Sequence, residues 1–136
     1  MAAVAVTADK VAVLYPQKAE IYDRIAAVAI AAGDMIAVST AGKAVLADAS
    51  AAGTLVNVGM ALNKAGIGQA VSVLKRGHVA GATLTSLDYG AAVYVSDDAG
   101  DLADAAGTVS KIAGRVEAIA QADGPVKCLY IDQAWS

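Results

Sequence analysis

The chain has 136 residues, 57% of them hydrophobic but only 4% aromatic, and its 10 Lys and Arg against 13 Asp and Glu leave a net charge of -3. The cations are scattered singly, so a phosphate backbone finds no basic stripe to dock on, which argues against nucleic acid as a partner. An apolar run from Ile25 to Gly33 ends at Asp34, far short of the ~20 residues a spanning helix needs, and so argues against a membrane protein.

A single domain of this length buries roughly two thirds of the surface its unfolded chain exposes. There is no Phe, so the core is expected to be thin and built from Val, Ile and Leu, with Ala allowing close approach. A mean hydropathy of +0.55 points to apolar surface buried between chains, hence an oligomer. The N-terminus lacks a basic segment and Asp9-Lys10 interrupts its apolar residues, against a signal peptide. One cysteine builds no disulfide framework, and the expectation is synthesis in a cytoplasm.

In chain order, residues 1–20 come first as a separate region. Val4-Ala5-Val6 and Val11-Ala12-Val13-Leu14-Tyr15, stopped by Pro16, read as extended segments with no tight turn to pair them with a following strand. They form an arm able to add a strand to another protein, an edge strand of the protein's own sheet, or a loose terminus. Residues 21–136 form the β domain. Ile21 to Ile30 would suit a short helix, but its Val and Ile and the Gly33-Asp34 turn favour a strand. Further strands are expected near 35–39, 43–47, 55–62, 70–76 and 78–80, with turns at Gly42-Lys43 and Gly66-Ile67-Gly68. Ala92 to Val95 is a strand entering an Asp97-to-Gly100 turn, and Val126 to Ile131, bounded by Asp123-Gly124-Pro125, closes the chain as the last one.

The chain repeats itself. Gly33-Asp34-Met35-Ile36-Ala37-Val38-Ser39 matches Gly90-Ala91-Ala92-Val93-Tyr94-Val95-Ser96, Ala51-Ala52-Gly53-Thr54 recurs as Ala105-Ala106-Gly107-Thr108, and Val58-Gly59-Met60-Ala61 corresponds to Ala113-Gly114-Arg115-Val116. Two copies are too few for a solenoid, so two β units folded into one barrel or sandwich are expected. The fold class is therefore all-β, a small barrel with an N-terminal arm.

No catalytic constellation survives inspection. His78 has no nucleophile motif beside it, and Cys128, in the mostly apolar final strand, reads as a small core hydrophobe. Asp97, Asp98, Asp101 and Asp104 fail as a calcium loop, since Ala99, Leu102 and Thr108 stand where a ligand, a Gly and a closing Glu belong. Gly66-Ile67-Gly68 lacks the third Gly of a dinucleotide fingerprint and runs into a strand pattern. Glu20 and Glu117 carry no sign of pairing. No metal, no cofactor and no enzyme activity are expected.

Three motifs in order, Ala32 to Ser39, Tyr89 to Gly100, and Ile112 to Val116 followed by Val126 to Asp132, resemble the capsid cement, or head decoration, proteins of tailed bacteriophages. The resemblance covers roughly residues 28 to 132. It implies a β-barrel or β-tulip domain that assembles as a homotrimer on the outer surface of the expanded head and clamps the major capsid protein. Residues 4 to 15 would then be the capsid-binding arm, with Val4, Val6, Val11, Val13 and Tyr15 as the contacts. The region before the match is longer than in the shorter members of the group. A head fibre or other virion surface protein is the alternative reading, and a trimeric β-barrel enzyme with an intersubunit site a remote one.

Overall fold

The computed structural model describes residues 2–121 and 124–133. The strands run β1 (Ala3–Val4), β2 (Ala12–Val13), β3 (Glu20–Ile25), β4 (Met35–Val38), β5 (Ala44–Leu46), β6 (Gly59–Ala61), β7 (Ala70–Ala80), β8 (Ala92–Val95), β9 (Leu102–Ala103), β10 (Ile112–Gln121) and β11 (Gly124–Asp132). They pair antiparallel in a single curled, half-barrel sheet, an all-β, barrel-like architecture.

Glycine and short polar residues punctuate the strands. Gly33, Gly42, Gly68, Gly90 and Gly100 all take positive φ at turns or strand entries, where a Cβ would be strained. Between them, alternation sends Met35 and Ala37 of β4 into one core cluster and Ile36 into a second. Strand β7 likewise gives Leu74 and Val79 to the first cluster and Val71 and Val73 to the second. Side chains of this strand are therefore buried on both of its faces. Each fully buried Met, Leu or Ile contributes roughly 1.5–3 kcal/mol. Buried Ala37, Ala44, Ala61 and Ala113 let neighbouring segments approach closely.

The repeat seen in sequence is a repeat of strand pairing. In the first unit the order is β3, β7, β6, β4, β5. Ile21 faces Leu74, Leu74 faces Met60, Met60 faces Met35, and Ala37 faces Val45. In the second, the C-terminal half of β7 takes the place of β3, and the order is β7, β11, β10, β8, β9. His78 faces Tyr130, Tyr130 faces Arg115, Arg115 faces Ala92, and Tyr94 faces Ala103. The bonds agree too: the Gly33 N–H donates to Ala61 O and the Gly90 N–H to Val116 O, each at 2.8 Å. Strand β7 is thus the last strand of one unit and the first of the next. The Ala-Ala-Gly-Thr copies diverge, as Ala52–Thr54 is a 3-10 turn and the later copy has no regular structure.

Several expected boundaries move. The strand expected over 55–62 forms only at Gly59–Ala61, because Asn57 adopts φ 50° and turns the chain, although Leu55 and Val58 still point into the core. The two strands expected at 70–76 and 78–80 are one. Gly77 carries β7 through at φ 150°, where a Cβ would come within 3.0 Å of Ala19 Cβ. Gly124 and Pro125, expected as a boundary, lie inside β11, opposite Gln121 and Ala120. Asp123 of that boundary and the terminal Trp135 lie outside the described residues.

Residues 2–18 lie along the body of the domain. Strand β1 pairs with β9, β2 pairs with the C-terminal end of β7, and two 3-10 turns, Ala8–Lys10 and Pro16–Lys18, bend the chain between pairings. The Thr7 N–H donates to Gly81 O and the Thr83 N–H to Ala5 O, both at 2.8 Å. Of the alternatives for this region, the edge strand of the protein's own sheet is the one seen.

Candidate docking surface

Three large exposed apolar side chains share one short strand: Ile21, Tyr22 and Ile25 of β3 are 42%, 48% and 45% exposed. The sequence Glu-Ile-Tyr-Asp-Arg-Ile has no polar face, so whichever way the strand lies it shows apolar surface to water. Its inner edge pairs with β7 from Glu20 to Ile25, and the Ala26 N–H donates to Gln69 O. Alternation in an antiparallel ladder then directs the backbone groups of Tyr22 and Arg24 inward and those of Ile21 and Asp23 outward. Among the described residues no strand pairs with that outer edge until Ala26 meets Ala44 of β5. The Asp23 carbonyl takes a bond from the Arg24 guanidinium at 3.1 Å. Beside this end of β3 opens a groove of about 450 Å³, lined by Asp23, Arg24, Ile25, Val38, Gly42, Asn57 and Ala70.

Ion pairing holds β3 in place. Arg76 of β7 reaches Asp132 at 3.1 Å and Glu20 at 3.7 Å, tying β11, β7 and β3 together at the junction of the two units. The bonded Asp132 carboxylate holds the guanidinium pKa above its ordinary value. Nearby, Lys75 is buried and its Nζ donates to Val58 O at 3.0 Å. Burial pushes its pKa down, and the charges of Arg24 and Lys111 push the same way.

A second exposed apolar area lies by the β10–β11 hairpin, where Tyr89 and Val126 flank a groove with Ala82, Leu84 and Thr85. Lys127 fixes its wall. Its ammonium sits 5.5 Å above the Tyr89 ring and donates to the carbonyls of Leu84 and Leu87.

The residues expected to contact a capsid are placed differently from one another. Val4 is buried, and Val6, Val11 and Val13 pack against the main core. Tyr15 is half-buried and stands edge-on to the His78 ring, centroids 5.2 Å apart, while the Tyr130 ring lies tilted against His78 at 4.7 Å. All five are therefore engaged with the domain itself. His78 links arm, β7 and β11 by aromatic contact.

The remaining sequence candidates serve the fold. Cys128 is buried in β11; burial pushes its thiol pKa up, and the Glu117 charge adds to the effect. Asp97 accepts bonds from the Thr108 N–H at 2.9 Å and hydroxyl at 2.8 Å, and Asp104 accepts the Ala2 N–H at 2.8 Å. These carboxylates tie loops and the N-terminus down. Gly66 donates to the Gln69 side chain in the turn that starts β7. Sequence reasoning expected a strand from Ile21 to Ile30, which forms over Glu20–Ile25, but did not single out its exposed apolar side chains. The signal it offered was the lack of alternation in residues 21–25, which neither a half-buried strand nor an amphipathic helix explains.

No family model matches the chain, and no curated protein and no solved structure matches it either.

Proposed function

We propose that this protein is a capsid decoration protein, binding the outer surface of an expanded bacteriophage head as homotrimers at local threefold positions and clamping major capsid protein subunits against internal DNA pressure. The observation that carries this reading is the pair of apolar surfaces, the β3 strand and the Tyr89–Val126 groove, held on one double-unit sheet whose polar clusters are spent on the fold. Such a molecule is equipped to hold other proteins. Three linked copies each making a modest contact convert weak affinities into a lasting one, which is what a clamp requires. The resemblance of the ordered motifs supports the same reading.

In this reading the working position is the virion exterior, after synthesis in the host cytoplasm, and no chemistry is performed. A head fibre role would be favoured by aromatic residues gathered on one exposed face. Here Tyr22, Tyr89 and the Tyr15–Tyr130 pair belong to three separate contacts.

Co-sedimentation with expanded, undecorated heads tests the proposal, with unexpanded shells as the control. Saturable binding to expanded heads, in multiples of three per local threefold site, is the expected outcome. Absence of binding to either shell would remove it.

A further inference from the structure

The repeat places one strand edge in two states. In the second unit, the outer edge of β7 at His78 to Ala80 is filled by the chain's own arm: Ala12 faces Ala80, Val13 faces Val79, and the Leu14 N–H donates to His78 O at 3.0 Å. Pairing equates His78 with Ile21, since each faces the corresponding residue of its neighbour, Tyr130 or Leu74. It equates Val79 with Tyr22 in the same way, since they face Leu129 and Val73, and the next residues in register are Ala80 and Asp23. The stretch Ile21 to Asp23 is thus the counterpart of the edge that the arm covers, and among the described residues nothing pairs with it. There is one arm, and it is used on the second unit.

We propose that the outer edge of β3, from Ile21 to Asp23, is a strand-acceptor site for an extended segment of the capsid shell in which aliphatic and small residues alternate. The intramolecular precedent defines the chemistry of the occupant. The segment that fills the equivalent edge is Val11-Ala12-Val13-Leu14, extended, uncharged and antiparallel to its host. Outward N–H and C=O groups at Ile21, and the N–H of Asp23, supply main-chain bonds, while Ile21, Tyr22 and Ile25 supply the apolar contact that half-exposed side chains await. A free edge of this kind is a liability in isolation, and covering it on the head would remove that liability. Ownership of the strand by the shell rests on the decoration reading; the acceptor site itself rests on the repeat.

The test is Asp23→Pro, which removes the outward N–H and leaves the inward bonds of Tyr22 and Arg24 to β7 in place. With wild-type thermal stability retained, the variant is expected to bind expanded heads about tenfold more weakly or worse, as expected for a lost main-chain bond and blocked pairing. Hydrogen exchange on head-bound wild-type protein needs no variant. The Ile21 and Asp23 amides, open in the free protein, should become protected. Binding by the variant equal to wild type, or amides that stay open on the head, overturns the acceptor site and leaves the decoration reading standing. If the wild type fails to bind heads, the decoration reading falls and a peptide of sequence Lys-Val-Ala-Val-Leu-Tyr decides the site alone. Titrated into the labelled protein, it should shift and protect the Ile21 and Asp23 amides in wild type and not in the variant. No shift in wild type overturns the site.

Discussion

Gly59 and Gly114 occupy matching positions in the two units, and each lies against a carbonyl of the neighbouring strand. A Cβ at Gly59 would sit 2.9 Å from Leu74 O, and one at Gly114 would press on the Tyr130 carbonyl, with Ile131 Cα 3.2 Å away. Backbone cannot yield as a side-chain tip can. Gly59→Ala and Gly114→Ala are each expected to cost about 2–4 kcal/mol, read as a shift of the denaturant midpoint at unchanged slope. Gly53, with open space around its Cα, is the control; Gly53→Ala should stay within about 0.5 kcal/mol.

Two titratable residues give further tests. Burial raises the Asp34 pKa, with the Asp101 charge adding to it and the bond from the Ala31 N–H opposing. A carboxyl whose folded-state pKa is raised contributes stability that is complete below its unfolded pKa and is lost as pH rises through the folded value. Asp34→Asn should therefore gain on wild type between about pH 3 and pH 7, seen as a Tm difference that moves in favour of the variant. Cys128, buried and raised in pKa, should resist thiol reagents in the native protein and label fully once unfolded.

The N-terminal arm acts as an element. It closes the outer edge of β7, covers Gly33 with Val6, and ends in the Tyr15–His78–Tyr130 stack. Val4, Val6, Val11 and Val13 pack on the core while Ala5, Thr7 to Lys10 and Ala12 are exposed, so a capsid contact through Val4 or Val13 would first require the arm to lift. Tyr15→Ala removes one end of the stack and should cost about 1 kcal/mol, with faster exchange at the Leu14 amide as the local readout. Deleting residues 1–15 strips the β7 edge as well as part of the core. The truncated protein is expected to self-associate, detectable by sedimentation velocity, since the β7 edge would be open in addition to that of β3.

At the scale of the whole molecule, the two units share β7 and one continuous sheet, and Arg76 clamps the junction through Asp132 and Glu20. The arm and the open β3 edge are what distinguish the halves. A homotrimer, alone or on the shell, is the assembly expected of the decoration reading, and native mass spectrometry of the free protein would reveal whether the exposed strand already brings copies together.

By itself the sequence determined the all-β class, the two-unit repeat and the fate of Cys128. Each of these is written in local signals: Gly at turn entries, β-branched runs such as Ala92 to Val95, and an apolar strand around the thiol. The similar order of Gly33 and Gly59 in one unit and Gly90 and Gly114 in the other marks matching strands, while the connections between them differ by two residues in length. Only the tertiary structure decided that β7 is one strand serving both units, that the arm lies on its edge, and that β3 is bare. These depend on which of several similar Val- and Ala-rich segments pairs with which across tens of residues. Residues 11–14 and 21–25 look alike as strand formers, and nothing local marks one as filler and the other as an edge. Competition for the same backbone groups in the folded sheet makes that choice.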